Sequence, residues 1–307
     1  MLKTKQKNQF IENGYLTLPR IFDIKKIIKL TKRLKKLAPE VKNIFYNNFK
    51  DFKNKTRFSK ITPGLYENNI LLDKSINLDF IEKNTKFNKI LESFFGGEYS
   101  IESKWLIKIL PQIIMPKWVS EEVRDIGMPQ LNMYIKDQYR DISYLNGLDF
   151  HQDNGGKLRN ATTVLIYLDS ILNESDGPIR MLDKTHILGA THYPHYCRIS
   201  SNKKYIYYSD LKGNHILTKQ VPILGPNGTA IFFNGYTLHG SAIDNNKKKT
   251  RLALRYVFSP NKLNKNSIFN KSNKKIFTKS FYLKNYRLDK SKDLYNKKCG
   301  RVINYVK

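Results

Sequence analysis

Acidic residues are scarce in this chain. Its 307 residues include 26 Asp and Glu against 55 Lys and Arg, for a formal net charge of +29 at pH 7. Such a balance points to an anionic partner: a nucleic acid, a membrane surface or a phosphorylated or carboxylated small molecule. A codon bias produces the same excess, because lysine, asparagine and isoleucine recur along the whole chain. Cysteine is scarcer still. Cys197 and Cys299 are the only two, too few for a disulfide-stapled scaffold, and they favour a reducing compartment. Long apolar runs are missing as well. The amino terminus is basic but has no apolar core for a signal peptide, and no later stretch is long enough to span a bilayer. A cytoplasmic protein is the expectation.

Histidine is also rare, with six in the chain, and this makes their neighbours informative. His151-Gln152-Asp153 places two metal-ligating side chains one residue apart, on the same side of an extended segment. A second imidazole, His239, follows near the end of an apolar run. Two imidazoles and one carboxylate on one face of an octahedral iron leave three positions open, enough for a bidentate oxo-acid and for dioxygen. Arg251, on the next expected strand, can grip the far carboxylate of such an acid with two parallel hydrogen bonds. His-x-Asp alone recurs by chance. Together with His239 and Arg251 it becomes specific.

At these residues the chain resembles the phytanoyl-CoA dioxygenase-like family of Fe(II)/2-oxoglutarate oxygenases. The resemblance covers roughly residues 10–258, in blocks that keep the family's order. These are Phe10 to Pro19; His151-Gln152-Asp153; Asp176-Gly177-Pro178 through Asp183-Lys184-Thr185-His186; and Gly228 to Phe233, continuing through His239-Gly240-Ser241 to Arg251. The resemblance implies that His151, Asp153 and His239 hold Fe(II), and that Arg251 binds the 5-carboxylate of 2-oxoglutarate with help from Ser241. It also implies that Met133 and Tyr167 lie around this cosubstrate. O2 is the oxidant and succinate and CO2 are coproducts. The chain departs from the family at Asp183-Lys184, where Pro-Gly is usual, which puts the shape of that loop in question. The carboxylate at Asp153 favours hydroxylation, since halogenating relatives lack it.

The periodicities place helices at the front and strands behind. Residues 23–38 carry Ile24, Ile27, Ile28, Leu30, Leu34 and Leu37 at helical spacing, with Asp23 as a cap and Pro39 as a stop. A second helix is expected from Ile81 to Phe95, ending at Gly96-Gly97. Strands are expected near 99–110, 129–136, 148–152, 162–168, 178–182, 220–224, 229–233, 236–241 and 251–258, separated by turn residues. This order predicts a mainly β fold with flanking helices, a double-stranded β-helix or cupin-like jelly roll. It divides into a helical part over 1–98, a core over 99–260 and a basic extension over 261–307 packed on the core. The resemblance implies the same fold.

Other features compete for a role. His186, His192, His195 and Cys197 form a loose group, but Pro194 interrupts it and no second cysteine pair completes a zinc site. The stretch between His186 and Val221, rich in tyrosine, reads as a substrate lid or as a surface excursion. The 261–307 extension interleaves aromatics with lysines, as nucleic-acid binders do, but no recognised RNA- or DNA-binding motif accompanies it. The expected function is therefore 2-oxoglutarate-dependent hydroxylation of a C–H bond in a small-molecule, anionic substrate. The alternative is a non-enzymatic nucleic-acid or anionic-surface binder on a degenerate barrel.

Overall fold

Thr162–Tyr167 reads Thr-Thr-Val-Leu-Ile-Tyr, and all six residues are buried. A β-branched and aromatic strand with both faces covered must lie between two layers, and this segment does. The computed structural model describes residues 2–37, 44–55, 70–109, 116–119, 121, 134–136, 143–145, 150, 152–153, 161–189, 195–199, 205–210, 215–241, 250–274 and 302–305.

Within these residues two six-stranded sheets form the frame. The first runs β1 (Tyr15–Leu18), β9 (Ala230–Asn234), β4 (Thr162–Tyr167), β11 (Arg251–Pro260), β2 (Tyr99–Ile109) and β3 (Ser143–Leu145). The second runs β10 (His239–Ser241), β5 (Ile179–Leu182), β8 (His215–Pro222), β7 (Tyr205–Asp210), β6 (His195–Ile199) and β12 (Val302–Tyr305). Neighbouring strands are antiparallel except β2 with β3 and β6 with β12. The two sheets face one another across an apolar layer that includes Ile107, Leu165, Ile231 and Ala253 from the first and Met181 from the second. This is the double-stranded β-helix expected from the sequence.

Alternation along β11 decides what each residue meets. Leu252, Leu254, Tyr256 and Phe258 point outward into the larger core, and Ala253 points inward. Arg251 and Arg255 share the inward parity of Ala253. On β4 the outward residues are Val164 and Ile166, and the inward ones include Leu165 and Tyr167.

Helices cover the outer face of the first sheet. In α2 (Ile24–Leu37) the Asp23 carboxylate accepts from the Lys25 and Lys26 amides at 2.8 and 3.3 Å, which caps the helix as expected. Its buried stripe is Ile27, Leu30, Thr31 and Leu34, whereas Ile24 and Ile28 stay on the exposed side. The helix expected over 81–95 is two pieces, α4 (Asp79–Glu82) and α5 (Thr85–Phe95). The break comes from Asn84, whose side chain accepts from the Phe87 amide at 2.9 Å and starts a new helix. From α5, Phe87, Phe94 and Phe95 enter the core, and the Phe94 ring stacks on Phe232 at 5.7 Å. Each buried ring contributes about 1.5–3 kcal/mol relative to exposure.

Other elements depart from expectation. Thr4–Asn13 forms helix α1, which its polar composition hides, and it ends at Gly14 with φ 84°. The 186–221 stretch contributes β6, β7 and β8, which extend the second sheet. Where strands are expected over 129–136 and 148–152, Ile135 makes an isolated bridge to Phe45, and Phe150 and Gln152 lie outside any strand; the remaining positions there, apart from 134 and 136, lie outside the described residues. Phe49–Lys55 is a short helix, α3. In the carboxyl-terminal extension, α6 (Ile268–Lys274) buries Ile268 and Phe269 in the outer core, with Phe269 5.6 Å from Phe95.

Candidate metal and oxo-acid site

Gln152 fixes the approach to the site. Its side-chain amide donates to the carbonyls of Gly189 and Tyr236 at 2.8 and 2.6 Å, tying the 152–153 segment to the ends of two other loops. Asp153 is the next residue. Its Oδ2 accepts from Thr163 Oγ1 at 2.9 Å and from Arg255 Nη2 and Nε at 2.8 and 3.1 Å. The Arg255 guanidinium lies 4.5 Å over the Trp105 ring, its register partner on β2.

His239 opens β10, opposite Met181 of β5. Its Nδ1 lies 3.0 Å from the Thr237 carbonyl. A carbonyl oxygen only accepts, so Nδ1 carries the proton and the lone pair of the neutral ring is on Nε2. Burial pushes the His239 pKa below its usual value, while Asp153 and the Thr237 contact act in the opposite direction. Nε2 stands 3.6 Å from Asp153 Oδ1. That is too long for a hydrogen bond and within the roughly 4 Å that two ligands each about 2.1 Å from one cation can span. The Phe233 ring, 4.5 Å from the imidazole, backs it.

Arg251 begins β11 and is 6 % exposed. Among the described residues, its buried Nε and Nη2 have no hydrogen-bond partner. These two groups form one edge of the guanidinium and point the same way, so together they present a fork for a carboxylate. Burial pulls the Arg251 pKa down to about 10, opposed by Tyr167, Asp176 and Asp169. Both acids are engaged by backbone: Asp169 accepts from the Leu252 amide, and Asp176 from the amides of Leu172 and Asn173. A buried guanidinium edge without a partner is costly, and an anionic guest removes the cost.

Tyr167 is fully buried beside this fork. Its hydroxyl donates to the Ile223 carbonyl at 2.9 Å and accepts from the Ile179 amide at 3.2 Å, and burial pushes its pKa up to about 12. Its single donor is thus spent on the wall. Ser241 sits two residues beyond His239, opposite Ile179; its side chain, like His151 and Met133 as a whole, lies outside the described residues. Among the described residues no three His, Cys, Asp or Glu side chains gather as a metal cluster.

The structure therefore places His239, Tyr167 and Arg251 on strands of the two sheets, with Asp153 held against the first sheet by Thr163 and Arg255. Sequence reasoning missed two residues of the arrangement. Gln152 carries no signal of its own, but Arg255 does: in Arg-Leu-Ala-Leu-Arg the even spacing puts both guanidiniums on one side of a strand.

No protein-family model and no curated protein sequence matches the chain. Solved structures do. EvdO2 from Micromonospora carbonacea var. aurantiaca is 15% identical, with 85% of this chain and 91% of that chain covered and a TM-score of 0.50. Its complex with 2-oxoglutarate aligns with a TM-score of 0.46, again at 15% identity over 85% and 91% of the two chains. AviO1 from Streptomyces viridochromogenes Tue57 is 11% identical over 86% of this chain and 97% of that chain, with a TM-score of 0.47. At these identities the likeness to EvdO2 is one of fold.

Proposed function

We propose that this chain is an Fe(II)- and 2-oxoglutarate-dependent oxygenase of the phytanoyl-CoA dioxygenase-like family, hydroxylating a C–H bond of a small-molecule substrate. The observation that carries this reading is the Arg251 fork, without a hydrogen-bond partner among the described residues, on the inward side of β11 from which Arg255 also grips Asp153. EvdO2 is recorded with 2-oxoglutarate in its own structure; for this chain the reading rests on Arg251 and the donor set.

The described residues fit the group they are asked to hold. Asp153 Oδ1 and His239 Nε2 face one another across a gap suited to a divalent cation, and His151 is assigned as the third ligand. Bound iron supplies oxygen activation coupled to decarboxylation of the oxo-acid, giving succinate and CO2. The protein's share is placement. The Thr237 carbonyl keeps the His239 proton on Nδ1 and its lone pair on Nε2. Arg251 takes the far carboxylate of 2-oxoglutarate in a two-pronged hydrogen bond, with Ser241 and Met133 assigned beside it. Tyr167 holds the barrel wall on which the fork is mounted. Ile107, Ile109, Met181, Ile231 and Phe233 keep the interior dry, which strengthens each charge interaction within it. The Arg251 fork has no hydrogen-bond partner among the described residues, so a carboxylate is a suitable guest for it. The positive field around the molecule extends the same preference to the substrate, for which we assign an anionic character.

Anaerobic titration of 2-oxoglutarate into Fe(II)-loaded protein tests the reading. A visible charge-transfer band that appears with 2-oxoglutarate, and needs far more of it in Arg251→Ala, is the expected result. Absence of the band in metal-loaded wild-type protein overturns the assignment and turns attention to the basic surface as a binding face.

A further inference from the structure

We propose that Arg255 is a positioning residue that fixes how Asp153 presents its carboxylate, holding one oxygen so that the other alone is offered to a metal. This inference rests on the reading of Asp153 and His239 as ligands. Its evidence is a separate set of contacts.

Oδ2 of Asp153 accepts three hydrogen bonds, from Thr163 Oγ1 and from both Nη2 and Nε of Arg255. A carboxylate oxygen so engaged has little capacity left for a metal. Oδ1 is the oxygen that faces His239 Nε2. Without the clamp, a carboxylate has two comparable oxygens and ligates through one or both, as it does around calcium. Bidentate ligation would use a coordination position that a chelating oxo-acid and dioxygen need. The clamp therefore keeps positions open as well as aiming a ligand.

The clamp is itself held. Arg255 is 8 % exposed, its guanidinium lies against the Trp105 ring at 4.5 Å, and its backbone sits between β2 and β4 opposite Trp105 and Leu165. Thr163 comes from β4 and Arg255 from β11, so the two donors reach Asp153 from adjacent strands of one rigid sheet. Arg suits the task better than Lys, because its planar fork sends two parallel N–H groups to one acceptor.

Two effects of Arg255 oppose one another. Its charge repels a divalent cation, while its hydrogen bonds orient the ligand that binds it. The three-donor grip on Oδ2 indicates that orientation wins. Residues that orient metal ligands typically change metal affinity by about 10–100-fold, and that range sets the expectation for Arg255→Met, which keeps the side chain's bulk and removes both donors.

The experiment measures anaerobic Fe(II) affinity by chelator competition, with Ni(II) calorimetry as a second probe, the 2-oxoglutarate charge-transfer band and the melting temperature. It uses the full chain and its Arg255→Met, Arg255→Lys and Thr163→Val variants. Arg255→Met should bind metal about 10–100-fold more weakly and shift or lose the band, with Arg255→Lys recovering part of the loss. Thr163→Val, which keeps every charge, should fall between wild type and Arg255→Met, and it remains decisive if Arg255→Met does not fold. Variants that melt lower yet bind metal as wild type does would make the clamp structural only and overturn the proposal. Tighter metal binding by Arg255→Met would show that repulsion dominates, and it would overturn the proposal as well. If wild-type protein binds no metal at all, it is the ligand assignment that fails.

Discussion

The Tyr15 hydroxyl donates to Asp183 Oδ1 at 2.5 Å, joining residues 168 positions apart. This bond ties the amino-terminal edge strand to the turn that follows β5. Lys184, the next residue, has φ 64°, a left-handed conformation that favours glycine. The Lys184 amide donates to the Asn13 carbonyl at 3.0 Å, and Thr218 Oγ1 donates to the Asp183 carbonyl at 2.5 Å; these bonds offset the cost of the strained residue.

Replacing Lys184 with Gly should accordingly stabilise the protein. A non-glycine residue in the left-handed region costs about 1–2 kcal/mol, of which glycine's greater freedom in the unfolded chain returns part. A gain of about 0.5–1 kcal/mol in denaturant unfolding is expected. A loss would show that the Lys184 side chain makes a contact worth more than the strain.

Gly14→Ala should do the opposite. Gly14 has φ 84°, and a Cβ there would lie 2.5 Å from both His186 Nδ1 and Thr237 Oγ1. A stability loss of about 2 kcal/mol or more is expected from the backbone cost and the clash. Because Thr237 also carries the carbonyl that orients His239, metal affinity should drop along with the melting temperature. A melting temperature equal to wild type would count against the packing described.

Arg251→Met should separate stability from ligand binding. Removing a buried cation whose Nε and Nη2 lack partners among the described residues should raise the stability of the ligand-free protein by about 1 kcal/mol or more. Loss of two charge-assisted hydrogen bonds should lower 2-oxoglutarate affinity by about a hundredfold or more. Thermal shift with and without 2-oxoglutarate reads both at once. A destabilised ligand-free variant would mean that Arg251 is satisfied within the fold.

Tyr167→Phe leaves the Ile223 carbonyl and Ile179 amide without their partner and should cost about 1–3 kcal/mol. It also has a pH signature. The phenol stays protonated to about pH 12 in the fold but only to about 10 when unfolded, so between these values the folded state holds the extra proton. Wild-type stability therefore falls as pH rises through this window. Arg251, with its pKa drawn down to about 10, contributes with the opposite sign, so the informative quantity is the difference between wild type and Tyr167→Phe. That difference should shrink from pH 10 upward; a constant difference would argue against the buried phenol.

The parts of this fold that were legible in the sequence are those whose burial is simple. β4, β9 and β11 read as apolar because helices cover one face and the second sheet covers the other. Asp23 announced α2, and Gly96 marked the end of α5. What escaped was decided by polar detail or by pairing partners. Asn84 splits one apolar helical pattern into two helices through a single side-chain bond. β6 and β7 are rich in Tyr and other polar residues, and their strand character comes from pairing, β6 with β7 and β7 with β8. In the site, Asp153, His239 and Arg251 were recognisable as residue types suited to metal and carboxylate. For Arg255 the spacing from Arg251 gave the side of the strand but not its contact with Asp153, and Gln152 gave no signal because its partners are backbone carbonyls of distant loops.

The alternation of β11 gives the molecule a gauge. Arg251 and Arg255 stand four residues apart on one strand, about 13 Å along its axis at the usual rise, with Ala253 as the only inward side chain between them. On the proposed reading one end of this span is the carboxylate anchor, while the other grips Asp153, so the strand would set the length of acid that fits. Slipping β11 by one position against β2 and β4 would turn both guanidiniums out of the barrel together. On that reading, ligand length and strand register are one constraint.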